Sequence, residues 1–218
     1  MILRELRLVN RWLGGLPAAL REIQSQVQRI SKEKRDSRKI RIVDLGSGSA
    51  DIPLALVAWA KKKGYPLQVL AVDRSSSACK IAQHHTRNCP DITVLQGDAQ
   101  QSFLKENGCD LVICSAFLHH FTDQEISGLL KDWASKSRAG IVVSDLHRHP
   151  LAYYGIVCLT RLLSRSRVIR HDGPLSVLKG FRKKELLAIL ERAGIRGARL
   201  KWRWAFRWVV VIPSRDYG

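Results

Sequence analysis

The sequence predicts an α/β protein with a doubly wound, mostly parallel sheet, and three observations carry that expectation. Short, near-continuously apolar runs alternate with longer amphipathic ones from residue 40 to residue 146. That is the pattern of strands buried on both faces and covered by helices. The first apolar run ends in a tight glycine turn, "VDLGSGSAD" at 43–51, where an open α/β sheet places a ligand-binding loop. The chain closes with two strand-like stretches, "RGARLKWRW" and "FRWVVVIPS", suited to an antiparallel hairpin at the sheet edge.

Each element has its own local reason. From Leu16 the apolar positions 16, 20, 23, 27 and 30 fall in steps of four and three, one face of a helix, and the polar, basic tail "SKEKRDSRK" follows as a linker. "KIRIVDL" is a β-branched strand, "DIPLALVAWAKKK" a helix and "PLQVLAVD" a strand. "SSSACKIAQHHTRN" is a helix, "DITVLQ" and "CDLVICSAF" are strands, "TDQEISGLLKDWASK" is a helix and "AGIVVSDL" a strand. Thr122 followed by Glu125 forms a capping box, and Gly64 with Pro66 stops the helix before it. After Leu146 a long basic insertion precedes the helix "RKKELLAILERAG". The expected organisation is an N-terminal helical cap and linker over 1–39 and a main domain over 40–218, with a lid insertion over about 147–181.

Length and composition agree with one folded body. A chain of 218 residues suits one large domain. With 45% hydrophobic and 26% charged residues, it has the balance of a protein that buries a core, which excludes a disordered chain. Its net charge of +18 points to polyanions, anionic membranes or acidic small molecules as partners. The five cysteines contain no C-x-x-C pair, so they read as buried apolar residues rather than as a disulfide framework or zinc site. The apolar N-terminus is interrupted by Arg4, Glu5, Arg7 and Arg11, and "LAYYGIVCLTRLL" at 151–163 is too short to cross a bilayer. A cytoplasmic protein, in peripheral contact with the inner membrane surface at most, is the expectation.

The glycine turn favours one kind of ligand. Gly46 and Gly48 let the backbone approach a small molecule, with Ser47 between them. The dinucleotide fingerprint G-x-G-x-x-G fails, because its third glycine position is Asp51, and Asp44 just before the glycines would repel a pyrophosphate. A cationic ligand fits better. Asp73 ends the second strand, where a carboxylate accepts from ribose hydroxyls, and Asp98 in "LQGDA" ends the third, where it accepts from an adenine amino group.

In this order and spacing, the acidic-x-G-x-G turn, the acidic end of the second strand, "GDA" and "D-L-V-x-C" resemble the class I S-adenosylmethionine-dependent methyltransferases, over residues 40 to 146. The resemblance implies a Rossmann-like sheet and S-adenosyl-L-methionine as cofactor, with S-adenosyl-L-homocysteine as product. It places Asp44, Gly46, Ser47 and Gly48 at the methionine part, Asp73 and Arg74 at ribose and adenine, Asp98 and Ala99 at the adenine, and Ser115 alongside. Ala50 departs from the family, standing where a third glycine is usual.

Transfer of the methyl group to a hydroxyl needs a base, since a free phenol has a pKa of about 10. "SAFLHHFTDQE" supplies His119 and His120 after the fourth strand, and it is similar to the L-H-D-W-S-D stretch of plant-type phenolic O-methyltransferases, whose histidine falls on His119. "SDLHRHP" follows the fifth strand and faces the same cleft, where Asp145, His147 and His149 could bind the acceptor or orient a base; His149 is a further catalytic candidate, and Arg148, Tyr153 and Tyr154 are further candidates for the acceptor. The H-x-H pair lacks a third ligand at suitable spacing, so no metal site is assigned.

Residues 147–184 carry nine Lys or Arg against one acidic residue, Asp172, around an apolar run. Such a lid suits a small amphiphilic or acidic acceptor, for example a phenolic lipid, quinone precursor or polyketide, delivered from a membrane surface. "SDLHRHPLAYYG" also looks like small bacterial methyltransferases of secondary metabolism. The competing classes are an RNA methyltransferase, favoured by the charge and by "KWRWAFRW", and a methyltransferase-like scaffold without turnover. Because "SAFLHH" lacks an Asn/Asp-Pro-Pro-aromatic motif, amino methylation of bases is disfavoured. The tail itself reads as a hairpin with aromatics on the sheet and arginines outside.

Overall fold

The computed structural model describes residues 15–33, 38–100, 108–164 and 166–214. Its strands are β1 (Ile40–Leu45), β2 (Leu67–Asp73), β3 (Ile92–Gln96), β4 (Leu111–Ser115), β5 (Ile141–Leu146), β6 (Arg199–Arg203) and β7 (Arg207–Ile212). They form one seven-stranded sheet in the order β3-β2-β1-β4-β5-β7-β6. Strands β1 to β5 pair in parallel, while β7 runs antiparallel to both β5 and β6. The expected fold class and edge hairpin are both present. Strand order reverses between β1 and β4, so the turns that follow these two strands flank a crevice at the carboxyl edge.

The helices are α1 (Gly15–Glu33), α2 (Asp51–Lys63), α3 (Ser76–Thr86), α4 (Asp123–Lys136), α5 (Pro150–Leu163), α6 (Arg167–Lys179) and α7 (Lys183–Arg192), with a 3-10 turn at Leu118–His120. Sequence boundaries hold where caps define them. Thr122 and Glu125 form the reciprocal capping box of α4, and Gly64 ends α2 in the left-handed conformation at φ 74°. The helix runs that overshoot do so by only a residue or two, as fraying ends allow.

Two cores sandwich the sheet. On one side α4 and α7 bring Ile126, Trp133, Leu186 and Ile189 onto Val43, Leu45, Val112 and Trp208. On the other, Ala19, Ile23 and Val27 of α1 lie with Leu56 and Val57 of α2 over Ile40, Ile42, Ile113 and Val209. Helix α1 therefore shares the core of the sheet it covers, because its apolar stripe has nothing else to bury against. Buried Glu22 of α1 ties it to the hairpin, accepting from Lys201 Nζ at 2.9 Å and lying 3.5 Å from Arg203 Nη2.

The basic insertion is a pair of helices. α5 packs on α6, which in turn rests on β5 and the 3-10 turn. His149 caps α5 by accepting from the Leu151 N–H, with Pro150 at its first position, and Ser166 caps α6. The excursion closes where it began, since Phe181 N–H donates to Leu146 O at 2.8 Å and Arg148 N–H donates to Phe181 O at 3.1 Å.

Two expectations are corrected. In the hairpin Trp208 packs in the core, but Trp202 and Trp204 face outward and Arg207 is buried, so aromatics in and arginines out holds only in part. β7 is an interior strand buried along its whole length, so even its arginine turns inward, and the short edge strand and tight turn carry the other two tryptophans outside. The cysteines are all free thiols, but Cys158 is exposed on α5, whose outer face is itself apolar.

Candidate active site

The site begins at the end of β1. Gly46 and Gly48 adopt φ of 69° and 55°, and the N–H groups of Gly46 and Ser47 donate to Val72 O at 2.9 and 3.0 Å, pinning the turn to β2. The two glycines serve different needs. A Cβ on Gly46 would lie 2.2 Å from the Phe117 ring, so this glycine makes room for the loop after β4. A Cβ on Gly48 would meet nothing within 4 Å, the open side of a cradle. Ala50 also takes the left-handed conformation, at φ 62°, the geometry of the glycine that the sequence resemblance would put here, at the cost of some strain.

Acidic groups converge on this turn. Asp44 is buried, and burial followed by the charge of Asp73 pushes its pKa well above the ordinary carboxylate value. Among the described residues no donor bonds its carboxylate, and Ser47 Oγ is likewise buried without a partner. A buried carboxylate and hydroxyl left unsatisfied beside an open glycine suit a ligand that brings positive charge and hydrogen-bond donors. Asp73 bridges the first two loops, accepting from Gly48 N–H and Ser75 N–H at 2.8 Å each. Asp98 accepts from Gln100 N–H at 3.0 Å. Ala99 is buried in the core, so only its backbone faces a ligand, while Arg74 is exposed and Ser115 half-buried.

The other wall is built on β4 and β5. Asp145, buried at the end of β5, accepts from Phe117 N–H at 3.1 Å, Leu118 N–H at 2.8 Å and Leu146 N–H at 2.8 Å. Its Oδ1 lies 2.7 Å from His119 Nδ1. Burial works to raise the pKa of Asp145, but the bond from His119, its charge, the Leu146 N–H and the Arg207 guanidinium together hold it below the usual range. An ionised Asp145 fixes the tautomer: Nδ1 of His119 donates, and a neutral ring carries its lone pair on Nε2. His119 is buried beneath α6.

Several candidates occupy other places. His120 is exposed beside His119, with ring centroids 4.2 Å apart, and partial desolvation followed by the neighbouring ring lowers its pKa. Asp145 itself faces inward rather than toward an acceptor, because a carboxylate holding three backbone N–H groups has no freedom to turn out. His147 accepts from Trp202 Nε1 at 3.2 Å, and His149 stacks on Phe206 with centroids 5.0 Å apart, so both are held in an aromatic cluster at the hairpin turn. Arg148 pairs with Glu185 of α7. Tyr153 packs in the small core between α5 and α6, whereas Tyr154 points outward.

Phe117 and Arg207 were missed by sequence reasoning. Phe117 had a signal in the need for Gly46. Arg207 could have been found as the charge that a buried aspartate in "GIVVSDL" demands.

Comparison with known proteins agrees with this geometry. Residues 42–140 match the family model described as a methyltransferase domain. An S-adenosylmethionine-dependent methyltransferase from Aquifex aeolicus is similar at 17% identity and a TM-score of 0.57, over 86% of this chain and 89% of that one. Magnesium protoporphyrin IX methyltransferase from Synechocystis, solved with bound S-adenosylhomocysteine, is similar at 17% identity and a TM-score of 0.56, over 92% and 85%. The CMeT domain of the citrinin polyketide synthase reaches a TM-score of 0.64 at 11% identity, over 88% of this chain and 51% of that one. No curated protein sequence matches the chain significantly. Residues 42–140 therefore match a methyltransferase domain, and the fold is that of the S-adenosylmethionine-dependent methyltransferases it resembles.

Proposed function

We propose that this chain uses S-adenosylmethionine to methylate a hydroxyl oxygen of a small amphiphilic molecule, a phenolic lipid, quinone precursor or polyketide, with His119 as the base. The observation that carries this reading is the 2.7 Å bond between His119 and Asp145, next to the loop that packs on the glycine turn.

When bound, S-adenosylmethionine supplies a methyl group activated on a sulfonium. Asp44 and Ser47 would hold its positive end, where a carboxylate and a hydroxyl lack donors, and Asp73, Arg74, Asp98 and Ala99 its adenosine. Asp145 orients the His119 ring and stabilises its protonated form, so Nε2 can take the hydroxyl proton as the oxygen attacks. Helix α6 over His119 keeps bulk water from competing as nucleophile. Tyr153 and the apolar lid favour an amphiphilic acceptor, and a source in the membrane fits the outward face of α5.

Methylation of RNA has less support, because Lys201 and Arg203 of the basic tail are paired with Glu22. The test is formation of S-adenosylhomocysteine with alkylphenols, hydroquinones and short ribo-oligonucleotides as acceptors. Turnover on the phenolic panel that falls on the order of a hundredfold in His119→Ala supports the reading. Turnover on oligonucleotides alone, or a rate indifferent to His119, would overturn it.

A further inference from the structure

Helix α5 is apolar on two opposite faces. Its inward face, Ala152, Tyr153, Ile156 and Leu159, packs on α6. Its outward face repeats the same chemistry with none of the other described residues over it: Leu151 is 66% exposed, Tyr154 65% and Leu162 82%, with Cys158 exposed between them. At 100° per residue, positions 151, 154, 158 and 162 fall in one stripe, roughly 16 Å long at 1.5 Å per residue. A soluble helix that leaves such a stripe bare marks a place where something else docks.

The surroundings say what. Next to the start of α5, Phe206 stacks on His149, the cap of the helix, and meets Trp202 edge-on at 6.2 Å. The adjoining hairpin turn exposes Trp204 at 79%. Tryptophan and tyrosine rings at the rim of an apolar stripe suit the boundary between headgroups and acyl chains. The flanking charge is mostly positive: Arg161 near the end of α5, with Arg167, Arg170 and Lys179 on α6, against a single Asp172. A second copy of this chain would bring another charge of +18 onto the same patch, whereas an anionic lipid surface neutralises it. Among the described residues no helix is long and apolar enough to cross a membrane, so the helix would lie along the surface.

We infer that the α5–α6 pair is a docking surface for an anionic lipid bilayer, with Leu151, Tyr154 and Leu162 inserted and Trp204 at the headgroup level. This deepens the proposed function by giving an amphiphilic acceptor a route from the bilayer to the lid, and it rests on that reading only for its purpose.

The experiment is cosedimentation of the full chain with vesicles of phosphatidylcholine alone or mixed with phosphatidylglycerol, which needs neither cofactor nor acceptor. Its failure would leave methylation of phenols standing, and failure of that reaction would leave vesicle binding intact. The wild type should pellet with the mixed vesicles, and the Leu151→Glu, Leu162→Glu variant should lose about tenfold in partitioning. The variant should keep its thermal midpoint, because neither side chain is buried. Equal binding by wild type and variant would reduce the effect to general charge and overturn the inference. So would absence of binding to the mixed vesicles, or a wild-type dimer that the variant dissociates.

Discussion

The turns after β1 and β2 and the turns after β4 and β5 border the same crevice but are built by different means. On the first side the binding groups are set by backbone: glycines at positive φ, N–H groups fixed to Val72, and Asp73 holding two loops together. On the second side one buried carboxylate, Asp145, orders three backbone N–H groups and a histidine ring, and a helical pair covers them. On the proposed reading the first side is a cofactor-binding wall, and one made of main chain tolerates little change. The second would then be the acceptor-binding wall, and one made of side chains under a separate lid can change its substrate while the carboxylate and histidine stay in place.

The difference can be broken at its two aspartates. Asp145→Asn keeps the shape but removes the charge that sets the His119 tautomer, and methyl transfer should fall on the order of a thousandfold while cofactor affinity by calorimetry stays within about twofold. Acid should act in the same direction on stability. The Asp145 pKa is depressed in the folded protein, so its contribution is present above the unfolded carboxylate value and is lost as pH falls through the folded one. Denaturant midpoints below pH 4 (about the unfolded aspartate value) should therefore drop more steeply for wild type than for Asp145→Asn.

Asp73→Ala should do the opposite of Asp145→Asn, weakening S-adenosylhomocysteine binding by about ten- to a hundredfold and leaving the His119–Asp145 pair untouched. Unchanged affinity would remove Asp73 from the site.

A smaller effect follows from Asp44. Its pKa is raised, so its neutral form persists to higher pH in the free protein, and a cationic ligand binds better to the ionised form. Cofactor affinity should decline as pH is lowered through that raised value, by at most about tenfold per pH unit, and Asp44→Asn should abolish the slope. The smallest expected change is Ala50→Gly. Relief of the left-handed strain is partly offset by added freedom in the unfolded chain, so a stabilisation below about 1 kcal/mol in urea melts is expected.

The first wall was legible in the sequence for the reason that makes it rigid. Positions where backbone needs φ above zero call for glycine, and a carboxylate at a strand end has few structural uses, so Asp44, Gly46, Gly48 and Asp73 stand out at fixed spacing. The strands and most helices were legible through periodicity and caps. The second wall was only half legible. "FLHHF" and "SDLHRHP" could be placed on one cleft, with Asp145, His147 or His149 able to orient a base, but their separation along the chain did not say that Asp145 is the one that β4 and β5 bring onto His119. The inward turn of Arg207 and the outward turn of Trp202 and Trp204 depend on which strand lies at the sheet edge, a property of pairing rather than of local sequence.

The central claim is that the two walls meet at the methyl group, and a crystal structure with bound S-adenosylhomocysteine tests it most directly. The homocysteine end should lie over Asp44 and Ser47, the ribose on Asp73, and the sulfur should face His119 across a gap for one acceptor oxygen. A ligand whose sulfur points away from the His119–Asp145 pair, or whose ribose leaves Asp73 free, would contradict it.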